Sequence, residues 1–547
     1  MANLVLGPML RYTGSTQATV WVETDAACDV TVLDARARTF HVDGHHYALV
    51  VLEDLEPGAS RPYEVHLDGV RAWPPADGRP PSNIHTRRHE RSGRLVFGSC
   101  RVGDPAREPY TLSPDEHPHG FGIDALWALS RRLQSGAEEW PDCLLLLGDQ
   151  VYADETSEET RAFIRARRDT STPPGEQVAD FEEYARLYRE AWSDPDIRWL
   201  LATVPSTMIF DDHDVHDDWN ISAAWVRDMR ATDWWQERIT GAFMSYWLYQ
   251  HIGNLAPPEL ATEPMFGEIS ASGEGSARLR EFAHAIDREP ASSRFAFHRD
   301  FGRSRLVVID SRAARVLTEG RRDMVDDEEW QWIAEHARGA FDHLIIASTL
   351  PVFMTPGVDG LEAWNEAVCA GAWGGLAARA GEKLRRALDL EHWPAFQRSY
   401  RTMVELLHEL AEGPDAPGTI SFIGGDVHTA YIAEVELGER QVSRVFQIVC
   451  SPFRNPLAGR ERRVIRLFST RAAGVVCRAL ARTAGVRRPD AEWRLVTPIT
   501  FDNSVAVLDL DGRRARVTIR RSAPEGEDGW PLEVLHERDL TPDPGSS

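Results

Sequence analysis

Two patterns of apolar and polar positions divide the chain. Through residue 88, short runs at 16–23, 29–33, 47–52 and 63–67 carry β-branched and aromatic residues. Turn residues such as Glu56-Pro57-Gly58 separate them, which predicts a small β-sandwich over residues 1–88. A proline-rich stretch from Trp73-Pro74-Pro75 to Pro80-Pro81 reads as a linker. From about residue 94 the pattern changes. Continuous apolar runs at 94–98, 143–147, 207–210, 306–309, 343–347 and 419–423 alternate with amphipathic segments such as 123–133, 181–192 and 328–337. Buried strands alternating with helices predict an α/β layered sheet flanked by helices. A β pair at 504–510 and 515–520 is expected to rejoin that sheet. Segments 254–293 and 455–490 read as irregular or helical insertions. These signals assign residues 1–88 to one domain, 89–525 to a second and 526–547 to a C-terminal tail, disordered from about Thr541.

A chain of 547 residues is too long for one ordinary core, in keeping with that division. The net charge of -24 excludes general nucleic-acid binding as an overall property. It does not exclude a phosphate substrate, because bound cations dominate the field inside a metal site. No apolar run of about 18 residues or more signals a membrane span. The first residues, Met1-Ala2-Asn3-Leu4-Val5-Leu6, carry neither a basic segment nor a twin arginine, so a cytoplasmic protein is expected. The six cysteines show no paired spacing, which fits reduced thiols.

The chemistry-bearing residues stand at the carboxyl end of each apolar run. The first ends in Ser99-Cys100, the second in Gly148-Asp149-Gln150-Val151-Tyr152, and the third in Asp211-Asp212-His213-Asp214. The fourth ends in Asp310-Ser311-Arg312, the fifth in Ser348-Thr349, and the sixth in Gly424-Gly425-Asp426-Val427-His428. Sites in open α/β sheets form beyond the carboxyl ends of the strands. Three carboxylates around one imidazole repel one another unless a cation compensates them. Asp426-x-His428 again joins a hard and a borderline ligand. No Gly-x-Ser-x-Gly elbow points to a serine nucleophile.

Taken in order, these motifs resemble the PhoD-type alkaline phosphatases of the metallophosphoesterase superfamily, over roughly residues 94–525. The N-terminal β region is similar to a fibronectin-III or immunoglobulin-like module, in keeping with that family's layout. The resemblance implies hydrolysis of small-molecule phosphate mono- or diesters by a hydroxide held between two metal ions. It makes Asp149 the bridging carboxylate, with Cys100, Tyr152 and His428 completing one site and Asp212 and Asp426 serving the other. Fe3+ and Ca2+ are the metals it favours, with Zn2+ or Mn2+ as alternatives. His213 would then protonate the leaving alkoxide or lie against the transition-state oxygens, oriented by Asp214. Arg312 and Arg454 are candidate phosphate clamps, since a guanidinium pairs phosphate bidentately. Trp393, in Leu390-Glu391-His392-Trp393, falls in a segment resembling the family's aromatic lid. The middle histidine of many metallophosphoesterases has no clear counterpart between the fifth and sixth runs. A dedicated phosphodiesterase, or a non-catalytic binding protein on the same scaffold, are the competing readings.

Overall fold

The computed structural model describes residues 1–88, 93–524 and 531–541. The six apolar runs become strands of two sheets packed face to face. The first sheet runs Ser206–Ile209, Cys143–Leu147, Gly93–Gly98, Ser504–Asp511, Arg514–Ser522, Leu532–Asp539. The second runs Phe297–Phe301, Ser304–Ile309, His343–Ser348, Thr419–Gly424, Arg444–Cys450, Ala430–Glu436, Glu492–Leu495. The strands that lead to the candidate residues are parallel within each sheet, so their carboxyl ends share one edge.

Their unbroken apolar composition reflects burial on both faces. Leu95, Phe97, Leu145, Leu147, Val308, Ile345 and Phe446 fill the layer between the sheets. Their neighbours Val96, Leu144 and Leu146 point outward, against helical residues such as Tyr184 and Leu200. Val307, Ile346 and Phe422 do the same on the second sheet. Each such side chain contributes roughly 1.5–3 kcal/mol on burial. The result is a helix–sheet–sheet–helix stack, with helices where the amphipathic segments predict them. Phe181–Trp192 begins where the Asp180 carboxylate accepts from the Glu183 amide, and it buries Phe181, Tyr184, Tyr188 and Trp192.

Residues 1–88 form two four-stranded antiparallel sheets around Val20, Val22, Val30, Val50, Val65 and Trp73. The reverse faces of the same strands send Trp21 and Tyr47 into the main core. Arg11, fully buried, donates to the Tyr249 and Gln250 carbonyls at 2.6 and 2.8 Å. His45 bridges Glu23 and Glu182, at 2.8 Å to each. Burial opposes its charge, but the hydrogen bonds to Glu182 and Glu23 outweigh it and push the imidazole from 6.5 up to about 9. A raised folded-state value stabilises fully below the unfolded value and is lost as pH rises through the folded one. The melting-temperature gap between wild type and His45→Gln should therefore be widest below pH 6.5 and close towards pH 9. Melts across that range test it.

One expectation changes. Leu532–Asp539, assigned to a tail, is the edge strand of the first sheet, paired antiparallel with Arg514–Ser522. Residues 542–547, expected to be disordered, lie outside the described residues, as do 525–530. The insertions at 254–293 and 455–490 are largely helical. Among the described residues no helix is long and apolar enough to cross a membrane, and the six cysteines are unpaired.

Candidate metal centre

The carboxyl ends of both sheets converge on one buried cluster. Cys100, Asp149 and His428 present donor atoms within 4.8 Å of one another, and Asp149, Asp211, Asp212 and Asp426 do the same. Asp149 belongs to both groups. The backbone makes this convergence by turning sharply at the strand ends. Cys100, Asp149, Asp426 and His428 all adopt left-handed conformations, with φ of 55°, 48°, 64° and 47°. Such angles cost a non-glycine residue roughly 1–2 kcal/mol, and strain of this kind concentrates at functional sites. Gly148 and Gly425 permit the approach: a Cβ at either would collide with Asp211 Oδ2 or Ser99 Oγ.

Hydrogen bonds fix the donors. Ser99 Oγ accepts from the Asp426 amide at 2.8 Å and lies 3.2 Å from Cys100 Sγ, which Ser451 Oγ also approaches at 3.2 Å. Asn455 Nδ2 donates to the Tyr152 hydroxyl at 3.2 Å, and that hydroxyl lies 3.5 Å from Asp149 Oδ2. Asp149 Oδ1 and Asp211 Oδ2 are buried with no hydrogen-bond partner. Burial, then the neighbouring carboxylates, push the Cys100 thiol far above its ordinary range. Burial likewise drives the Asp426 carboxyl up, reinforced by Asp211 and Asp212. Burial holds His428 down at about 4, leaving a neutral imidazole with a free lone pair. Donors this crowded and this dry ionise only beside a compensating cation, so the set fits bound metal ions.

The structure redistributes several expected roles. His213 Nδ1 is held by Asp154 Oδ1 at 3.0 Å, and Asp154 also accepts from the Asp217 amide at 2.6 Å. Asp214, expected to orient His213, instead accepts from the Val151 and Asp211 amides at 3.2 and 3.0 Å, tying two ligand loops together. Arg312, expected as a phosphate clamp, is fully buried and already committed. It donates to Asp211, to Asp212 at 3.0 Å and to Glu391 at 2.6 Å. Arg454 donates to the Asp104, Pro105 and Tyr110 carbonyls, so it holds a loop and is not a free clamp. Trp393 is a fully buried core residue whose indole donates to Ser348 Oγ at 3.2 Å, and it forms no lid. Sequence reasoning misses its neighbour His392. Glu362 holds Nδ1, and Nε2 lies 3.9 Å from Asp426 Oδ2, between the fifth and sixth runs. Breaking a buried ion-pair network from one side is strongly destabilising. Arg312→Met should cost about 3–5 kcal/mol, read as an earlier denaturant midpoint.

Beside Tyr152 and Asp154 opens a cavity of about 500 Å³, also lined by Tyr110, Phe121 and Arg161. A further cavity of about 810 Å³, between Trp219, Arg227 and Ile286, contains none of the clustered donors.

Two mixed sheets thus pack face to face, with a cluster of candidate metal-binding side chains where their strands end. Residues 129–273 match the family described as PhoD-like phosphatase, and residues 1–85 match a domain of unknown function, DUF7800. The chain is similar to the solved structure of PhoD, with a TM-score of 0.57 at 11% identity over 98% of this chain and 92% of that one. At that identity the likeness concerns the fold. No curated protein matches the chain.

Proposed function

We propose that this protein is a metal-dependent phosphoesterase that hydrolyses small-molecule phosphate mono- or diesters. The observation that carries this reading is the buried cluster at the shared sheet edge, with Asp149 common to both donor groups and its Oδ1 bare. The match to the PhoD-like phosphatase family supports it. In this reading residues 1–88 are a separate β-sandwich domain and residues 89–525 the catalytic one, to which the edge strand Leu532–Asp539 also belongs.

Cys100, Tyr152, His428 and Asp149 would hold one ion; Asp149, Asp212, Asp426 and His392 would hold the other. A thiolate and a phenolate suit trivalent iron, and the oxygen-rich partner site suits calcium, with zinc or manganese as alternatives. Bound there, two cations supply Lewis acidity and neutralise phosphoryl oxygens. The remaining work belongs to the chain. His213, pinned through Nδ1 by Asp154, directs Nε2 to donate a proton to the departing alkoxide. Arg312 holds Asp211 and Asp212 at the edge of the cluster. The cavity lined by Tyr110, Phe121 and Arg161 accommodates the alcohol portion of the ester.

Metal analysis alongside paired monoester and diester nitrophenyl substrates tests the reading. Prolonged chelation should abolish phosphate release, and added metal should restore part of it. Full turnover by demonstrably metal-free protein would exclude the proposal. Turnover of the diester alone would establish a dedicated phosphodiesterase.

A further inference from the structure

The helical insertion after Asn455 carries a surface that no part of the proposed reaction uses. Residues 459–488 contain nine arginines and a single acidic residue, Glu461, a net of +8 inside a chain of net -24. The two helices, Gly459–Phe468 and Arg471–Thr483, differ in how they are held. The first buries none of its residues. The second buries Gly474, Cys477 and Ala481, against the helix Pro356–Cys369. Its opposite face carries a second apolar stripe, Ala472, Val475, Val476 and Ala479, at the i, i+3, i+4, i+7 spacing, and all four are exposed.

Of the eleven large apolar residues exposed among the described residues, four lie on these two helices and two more in the segment 373–376. They are Trp373, Leu376, Val464, Leu467, Val475 and Val476. Trp373 is tied to the second helix by its indole, which donates to the Thr483 carbonyl at 3.3 Å. Arg460, Arg463 and Arg482 stand exposed around the aliphatic side chains, with no ion-pair partner among the described residues.

We propose that this face docks on the surface of an anionic lipid bilayer. A basic helix with an exposed aliphatic stripe lies in the interface plane, its apolar side chains entering the headgroup boundary and its arginines meeting lipid phosphates. A polyanion such as duplex DNA would engage the arginines but offer Val464, Leu467, Val475 and Val476 nothing to enter. The inference is independent of the catalytic reading, since it uses none of the candidate ligands.

Vesicle cosedimentation of the full chain tests it. Wild type should bind phosphatidylglycerol-containing vesicles, release as salt rises, and ignore pure phosphatidylcholine. Arg460→Gln/Arg463→Gln/Arg482→Gln should weaken binding on the order of a hundredfold, at about fivefold per charge. Val475→Asp/Val476→Asp should also abolish it, with melting temperatures confirming that both variants fold. Absence of binding by wild type, or equal binding to neutral vesicles, overturns the proposal. So does DNA binding that matches vesicle binding and survives Val475→Asp/Val476→Asp.

Discussion

Replacing His213 by alanine should lower kcat by about 10²–10⁴-fold, the usual contribution of a positioned proton donor. Metal content should stay near the wild-type level, because Cys100, Asp149, His428, Asp212 and Asp426 remain. The geometry behind this is one-sided: Asp154 occupies Nδ1 at 3.0 Å, while the nearest carboxylate to Nε2, Asp217, stands 3.8 Å away. Nε2 is thus the nitrogen available to a leaving group. The loss should shrink for nitrophenyl esters, whose phenolate departs without much protonation. Asp154→Asn should reproduce part of the defect by freeing the ring. Steady-state kinetics with alkyl and nitrophenyl esters, alongside metal analysis, decide the matter. If His213→Ala empties the site, the imidazole is a ligand instead.

Asp149→Asn should lose metal and activity together. Supporting residues around a metal site typically cost about 10–100-fold in affinity when removed, and a carboxylate shared by both donor groups should exceed that. The substitution suits the question because asparagine also tolerates left-handed backbone, so the φ of 48° adds no strain. Burial already pushes the Asp149 carboxyl well above its ordinary range, reinforced by Asp211, Asp212 and Asp426, so a neutral amide should leave the metal-free protein no less stable. Metal titration and then turnover distinguish this from misfolding. A variant that keeps its full metal complement would remove Asp149 from the bridging position.

Much of the site was legible because each donor ends an unbroken apolar run. A strand buried on both faces rarely carries an aspartate in its interior, so the position of Asp149 and Asp426 at the boundary is conspicuous. Asp154 and His392 were harder to see. Asp154 lies two residues beyond Tyr152 in an irregular loop, where no periodicity marks a direction, and His392 is brought to Asp426 only by the packing of Glu362 behind it. Arginines misled for a related reason. Arg312 and Arg454 stand just past strands, as a phosphate clamp would, but burial turns their donors onto carboxylates and carbonyls. The six runs also could not reveal that they divide between two sheets. Alternation between two cores, as in Leu144 and Leu145, becomes visible only once both faces are filled. The strand Leu532–Asp539 escaped notice because its polar, half-exposed pattern is that of a sheet edge.

The pairing of Gly93–Gly98 with Ser504–Asp511 bears on how the chain is made. During synthesis the strand leading to Cys100 emerges early, finds Cys143–Leu147 on one side, and has no partner on the other until some four hundred residues later. Contacts of such sequence separation form slowly, and an apolar strand waiting with an open edge is exposed to pairing with the wrong neighbour. Ribosome-bound intermediates shorter than residue 511 should therefore depend on chaperones to hold that edge. The candidate donors, Cys100 to His428, are thus all synthesised before the strand that closes the edge beside them.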